Sequence, residues 1–233
     1  MPARRTPERI RRMNDERLAV YLRSLEPDPD PLLREMTSEA EARQVPILRP
    51  ETAALLRTLT ELKGPDRVLE VGTATGYSAL VMSRCLRDGS RIDTIERNAQ
   101  WAALARGHFR EAGREEQITL LEGDASEVLP ALDGPYDFVF LDAAKGQYLH
   151  FLPDLLRLLA PGGVLVSDNV LQNGTILESR YAIPRRDRTI HSRMREFLYQ
   201  LKHREELETA VLPVGDGVAL SVKRRNQSKH EET

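Results

Sequence analysis

Short apolar runs alternate with stretches of helical spacing through the middle of the chain. The runs fall at residues 68–71, 92–95, 118–122, 138–141 and 164–167. They carry few polar interruptions, as strands covered on both faces must. Helical periodicity occupies 79–87, 99–112, 125–132 and 149–159. This alternation predicts an α/β fold built on a parallel, doubly wound sheet with right-handed crossovers. The rhythm then breaks. A helix is expected over 194–201, followed by strand-like runs at 209–213 and 218–222 around Gly215-Asp216-Gly217, a hairpin signal that ends the sheet antiparallel.

Upstream, helices are expected over 15–25, with Leu18, Leu22 and Leu25 on one side, and over 32–43. Pro27, Pro29 and Pro31 separate the two. A third helix is expected to begin at Pro50 and stop before Gly64, the proline-first, glycine-last arrangement of helix ends. The 233 residues are expected to form one domain. Residues 13–64 are its N-terminal helices and 65–223 its Rossmann-like core, with 1–12 and 224–233 flexible.

Charge changes this picture little. Charged residues make up 30% of the chain but leave a formal net charge of −2, so only local patches can speak for or against nucleic acid. Cys85 is the single cysteine, which excludes an intramolecular disulfide and fits a reducing compartment. Its place on an apolar helix face reads as a packed thiol. No apolar leader follows the charges that begin at Arg4, and no run approaches membrane-span length. A soluble, cytoplasmic protein without membrane contact is expected.

The densest chemistry lies at residues 67–78, which read as strand, turn and helix. Gly72 and Gly76 bracket a turn where backbone must approach a ligand without Cβ obstruction. Tyr77, Leu80, Val81 and Cys85 follow at helical spacing. Ala74 occupies the position where a dinucleotide fingerprint needs glycine, which argues against a pyrophosphate. Glu70, two residues before the first glycine, suits an ammonium-bearing ligand. Glu96 ends the next run about twenty residues beyond the turn, where a ribose hydroxyl needs an acceptor. S-adenosylmethionine combines an amino acid tail and a ribose with no phosphate, and is the cofactor this unit fits.

Two further strands end in oxygen donors: the run at 138–141 in Asp142, and that at 164–167 in Asp168-Asn169. Neighbouring strand ends converge on one crevice in a doubly wound sheet. Two carboxylates and an amide oxygen suit Mg²⁺ or another hard divalent cation. Asp168-Asn169 alone reads equally well as a turn or helix cap; Asp142 at the matching strand end favours the metal. Lys145 lies one helical turn beyond Asp142. A nearby cation would favour its neutral amine, able to accept a proton, whereas most lysines are simply solvated.

Glu-Val-Gly-Thr-Ala-Thr-Gly-Tyr-Ser at 70–78, Thr-Ile-Glu-Arg-Asn at 94–98, Leu-Asp-Ala-Ala-Lys at 141–145 and Asp-Asn-Val-Leu at 168–171 resemble the cation-dependent O-methyltransferases, the catechol and caffeoyl-coenzyme A type. The resemblance runs from about Val45 to the final hairpin. It implies a class I S-adenosylmethionine-dependent methyltransferase fold with a mostly parallel seven-stranded sheet and a homodimer. It further implies Asp142, Asp168 and Asn169 as metal ligands and Lys145 as catalytic base, with Asp142 also at the cofactor. Glu96 would lie on the ribose, Asp124 and Ala125 beside the adenine, and Gly72 and Ser78 near the methionine moiety. Leu48 would offer backbone contacts.

Within that family, Gln44-Val-Pro-Ile, Asp142-Ala-Ala-Lys-Gly-Gln-Tyr148, Pro184-Arg-Arg-Asp-Arg188 and Pro213-Val-Gly-Asp-Gly217 resemble the bacterial tRNA 5-hydroxyuridine methyltransferases, which form 5-methoxyuridine at the wobble position. The N-terminal dozen residues resemble nothing in them. Catechol offers two vicinal oxygens and 5-hydroxyuridine offers O5 beside O4, so one metal site can chelate either. The walls must decide. Arg180, Arg185, Arg186, Arg188, His191, Arg193 and Arg195 place seven basic or titratable side chains in sixteen positions after the metal-bearing strand. Arginine forks suit phosphate, so Arg185, Arg186 and Arg188 are expected on the anticodon region of tRNA. A solvated helix face paired to Asp187 and Glu196 is the plainer alternative. Aromatic residues make up only 5% of the chain, giving little sign of a lipophilic wall, though Tyr148, Phe151 and Tyr181 are candidate base stackers. A catechol-like or phenylpropanoid acceptor stays the alternative. A nicotinamide-dependent dehydrogenase or non-catalytic nucleotide binder is disfavoured by Ala74 and the two strand-end acids.

Overall fold

The computed structural model describes residues 17, 20–27, 30–43, 45 and 47–225. Of the helix expected at 15–25, residues 17 and 20–24 are helical, and residues 15, 16, 18 and 19 lie outside the described residues, as do 1–12 and 226–233. Helix α1, Pro31–Ala42, starts on a proline behind Asp30, whose carboxylate accepts the Leu32 N–H at 2.9 Å. Helix α2, Pro50–Lys63, begins on Pro50 and ends at Gly64, which takes the left-handed conformation at φ +54°.

From there the chain alternates as expected: β1 Arg67–Val71, α3 Tyr77–Ser83, β2 Arg91–Glu96, α4 Ala99–Glu111, β3 Ile118–Glu122, α5 Ala125–Ala131, β4 Tyr136–Leu141, α6 Tyr148–Leu158 and β5 Leu159–Ser167. Helix α7, Arg188–His203, and strands β6, Leu207–Leu212, and β7, Val218–Lys223, complete it. The seven strands run in the order β3-β2-β1-β4-β5-β7-β6. All pairs are parallel except β5 with β7 and β6 with β7.

The sheet is covered on both faces. Leu69, Val71, Val139, Leu141 and Leu165 pack with α5, α6 and α7. Val68, Ile92, Phe138, Phe140 and Val166 face the other way, towards α1 to α4. Strand alternation sorts these side chains, and burial on both faces explains why the runs read as continuous.

Three boundaries differ from the sequence reading. Helix α3 stops at Ser83, not residue 87, because the Ser83 hydroxyl donates to the Leu80 carbonyl at 2.9 Å and the chain turns. Strand β5 starts at Leu159, not residue 164, with Tyr136 pairing to Leu159 before a register shift and Phe138 pairing to Val164 after it. Helix α7 starts six residues before the expected 194. Its first buried turn is carried by His191, and a polar residue at that position concealed the apolar spacing of Met194, Phe197 and Leu201.

Candidate active site

A cavity of about 490 Å³ opens at the carboxyl ends of β1, β2, β4 and β5, the ligand crevice of an open α/β sheet. The turn after β1 forms its floor. Gly72 (φ +106°) carries no side chain for a reason internal to the protein: a Cβ there would lie 2.1 Å from the Asp142 carbonyl. Gly76 differs from its expected role. It does not line the cavity; a Cβ there would strike the Phe109 ring at 2.6 Å, so it is a packing glycine. Tyr77 and Ser78, in the first turn of α3, do line the cavity.

Glu70 also lies off the cavity surface. It is fully buried, with Thr94 Oγ1 donating to its Oε2 at 2.5 Å and the Ser78 side chain beside it. Burial pushes its pKa up to about 7, and Oε1 has no partner among the described residues. Its neighbour Ser78 lines the cavity, whereas Glu70 does not.

Glu96 does face the cavity. Its Oε2 accepts the Ala74 N–H at 2.9 Å and its Oε1 the Asn98 N–H at 2.7 Å, leaving further lone pairs for a diol. Asp124 caps α5, accepting the Ser126 N–H at 2.9 Å and its hydroxyl at 2.7 Å, which sets Asp124 and Ala125 in the wall. Those bonds hold the Asp124 carboxyl below the usual range. Leu48 closes the opposite side. The cavity wall also includes Arg49, Arg97, Gln147 and the single tryptophan, Trp101. Sequence reasoning missed these; only Trp101 carried a signal, as the single tryptophan of the chain.

The acidic end is built by strand register. Leu141 pairs with Ser167, so Asp142 and Asp168, the next residues, emerge side by side. Asp168 is 2% exposed. Burial and the Asp142 charge push it up to about 7, and burial raises Asp142 as well. Buried Asp168 and half-buried Asp142, sharing a cavity wall with Asn169 (φ +56°), form an all-oxygen donor set. That set fits a hard divalent cation, which would relieve their mutual repulsion.

Lys145 lines the same wall, but not by the helical turn expected. Residues 142–144 are non-helical and Lys145 opens a 3₁₀ turn, Lys145–Gln147. Tyr148 is no base stacker. It is fully buried, its hydroxyl donating to the carbonyls of Asp168 at 3.1 Å and Leu141 at 3.3 Å, so it braces the two strand ends that carry Asp142 and Asp168. Phe151 is buried but reaches the cavity.

The O-methyltransferase family matches residues 27–224. The chain belongs to that family. It is 35% identical to a catechol O-methyltransferase of Niastella koreensis, over 67% of this chain and 73% of that protein. It is 30% identical to caffeoyl-CoA O-methyltransferase 1 of Eucalyptus globulus, over 87% and 83%. The O-methyltransferase TomG of Streptomyces achromogenes, solved in complex with SAM, superposes with a TM-score of 0.79 at 28% identity, covering 89% of this chain and 96% of that one. The fold is that of the class I methyltransferases.

In this O-methyltransferase the basic cluster after β5 does not act as one surface. Arg188 turns onto its own loop, donating to the carbonyls of Ile183 at 3.0 Å and Tyr181 at 3.3 Å. Two of its five N–H groups are thereby spent on the loop, which holds this guanidinium in place, unlike those of Arg180 and Arg185. Arg193 bonds the Gly146 carbonyl at 2.9 Å, and Arg195 the carbonyls of Ile176 and Glu178 at 3.3 and 3.5 Å. His191 is buried. Arg186 pairs with its exposed neighbour Asp187 at 3.5 Å, and Glu196 accepts from Gln200 instead of an arginine. Arg180 and Arg185 have no hydrogen-bond or ion-pair partner among the described residues. Tyr181 beside them is 85% exposed.

No helix among the described residues is long and apolar enough to cross a membrane. Cys85 is half-buried, and burial raises its thiol pKa, as a packed cysteine requires.

Proposed function

We propose that the protein uses S-adenosylmethionine and a divalent cation to methylate the hydroxyl of 5-hydroxyuridine at the wobble position of tRNA. Supporting the cofactor is a cavity that offers Glu96 to a ribose, Asp124 and Ala125 to an adenine, and Leu48, Gly72 and Ser78 to an amino acid tail. TomG, of the same fold, was solved with SAM.

In this reading S-adenosylmethionine would supply the methyl group, and a divalent cation, when bound, would lower the pKa of the acceptor hydroxyl. Asp142, Asp168 and Asn169 would hold that cation. Lys145 Nζ takes the proton from the hydroxyl as its oxygen bonds to the methyl carbon. The carbon–sulfur bond breaks in line, and S-adenosylhomocysteine leaves. Asp142 and Asp168, set side by side by the strand register, would fix the approach of the acceptor, and positioning of this kind can supply much of the rate.

The acceptor reading rests on one observation. Arg180, Arg185 and Arg186, with the exposed ring of Tyr181, lie on the segment leading into α7, and α7 packs against the Lys145 turn. Exposed guanidinia interleaved with an unburied aromatic ring suit a phosphate backbone carrying splayed bases. The similarity to catechol and caffeoyl-CoA enzymes favours the second reading, a small catechol-like acceptor. Mass spectrometry of tRNA nucleosides from a strain lacking the gene decides between them: loss of wobble 5-methoxyuridine with accumulation of 5-hydroxyuridine supports the first, and an unchanged profile removes it.

A homodimer is part of the same proposal. Val20, Tyr21, Leu22, Leu25 and Leu62 are exposed large apolar side chains, a liability on a lone subunit. Light scattering at micromolar concentration reads the mass directly.

A further inference from the structure

We propose that Arg49 is a positioning residue that couples the cofactor-facing wall of the cavity to the segment presenting Asn169. Three segments far apart in sequence meet at its guanidinium. Arg49 lies in the cavity wall beside Leu48, immediately before α2. Its Nη2 donates to Asn173 Oδ1 at 2.8 Å and its Nη1 to the Gly215 carbonyl at 3.3 Å. Among the described residues no other hydrogen bond joins residues 47–49 to residues 169–173.

The segment it reaches carries three residues in the left-handed region. Asn169, Gln172 and Asn173 have φ of +56°, +51° and +52°; asparagine visits this region readily, whereas Gln172 keeps it only where its surroundings over-determine it. The turn between β6 and β7 supplies part of the restraint. The Val170 N–H donates to the Gly217 carbonyl at 2.9 Å, the Leu171 N–H to the Asp216 carbonyl at 3.0 Å, and the Asn173 N–H to the Asp216 carboxylate. That turn is itself seated on α2, since a Cβ at Gly215 would lie 2.3 Å from Thr52 Oγ1. The contacts close a ring from wall to α2, to the hairpin turn, to the Asn169 segment, and back through Arg49.

A ligand resting on Leu48 and Arg49 therefore biases how Asn169 is presented. An ion held by Asn169 biases the wall by the same factor, because linkage between two sites is reciprocal. This inference rests on the divalent-cation reading proposed above.

Calorimetric titration of Mg²⁺ into the full chain, with and without saturating S-adenosylhomocysteine, reads the coupling without turnover. The parent should bind the ion at least about fivefold more tightly when S-adenosylhomocysteine is present. Arg49→Ala should bring that ratio close to unity. Asn173→Ala, which removes the acceptor from the opposite side, should do the same, and the double variant should resemble either single one. Thermal unfolding of each variant confirms that the fold survives. A ratio that persists in both single variants, or is absent from the parent, overturns the coupling and leaves the metal reading standing. A parent that binds no divalent ion overturns both.

Discussion

The backbone N–H of Ala74 donates to Glu96 Oε2 across 2.9 Å, tying the turn after β1 to the end of β2. Ala74 has φ +45°, a conformation that costs an L residue about 1–2 kcal/mol. The carboxylate that faces the cavity thus also holds a strained turn in shape, while its second oxygen engages Asn98.

Two effects of Glu96→Ala follow from this double duty. Affinity for S-adenosylmethionine should fall about ten- to a hundredfold, the usual cost of a missing charge-assisted hydrogen bond. Stability should fall too, as the Ala74 turn is released. Adding Ala74→Gly relieves the left-handed strain and should recover part of the stability but none of the affinity. Calorimetry and thermal melts separate the two, and unchanged affinity in Glu96→Ala would place the ribose elsewhere.

Asp168 makes the metal-free protein pH-sensitive. Burial and Asp142 raise its pKa from 3.8 to about 7, so the folded state keeps a proton that the unfolded chain has released. This contribution to stability is full below about pH 4 and is lost as pH rises through about 7. Asp168→Asn should therefore raise the melting temperature of metal-free protein at about pH 8 while abolishing metal binding and turnover. Mg²⁺ should stabilise the parent at that pH and far less at about pH 5, where Asp168 holds its proton. Full activity after rigorous chelation would defeat the metal assignment.

Much of this site was legible in the chain. The strand-end positions of Glu96, Asp142 and Asp168 follow from apolar runs that stop at an acid, and register carries such residues to one crevice. What escaped was decided by contacts between distant segments. Nothing local distinguishes Gly76, which meets Phe109, from a ligand-facing glycine. Nothing local shows that Glu70 is fully buried against Ser78 and Thr94, that Tyr148 braces two strand ends, or that Arg188 bonds its own loop. Arg49 belongs to no motif, and its partners lie 124 and 166 residues away.

Lys145→Met should lower kcat by about 10²–10⁴, the usual contribution of a positioned general base. S-adenosylmethionine affinity should stay at the parental value, because the cofactor's expected partners are untouched. A variant with parental kcat would show that the proton leaves by another route.

The arginines should separate by what they touch. Changing Arg180, Arg185 and Arg186 to Gln should raise the apparent KM for tRNA and flatten its salt dependence by about one unit of slope for each phosphate no longer gripped. Methylation of the free 5-hydroxyuridine nucleoside should persist. Arg188→Gln should instead lower the melting temperature and impair both acceptors, since it frees the Tyr181 and Ile183 carbonyls. Equal behaviour of the two variants towards tRNA would reduce the exposed arginines to a solvated face.

The acceptor itself is the most direct test. Purified protein, S-adenosylmethionine and Mg²⁺ are incubated with tRNA carrying wobble 5-hydroxyuridine, and in parallel with catechol and caffeoyl-coenzyme A, and the products are read by mass spectrometry. We expect 5-methoxyuridine in the tRNA, at a kcat/KM well above that for either small molecule. Efficient methylation of the small molecules with no 5-methoxyuridine formed would contradict the RNA reading and put the catechol-type acceptor in its place.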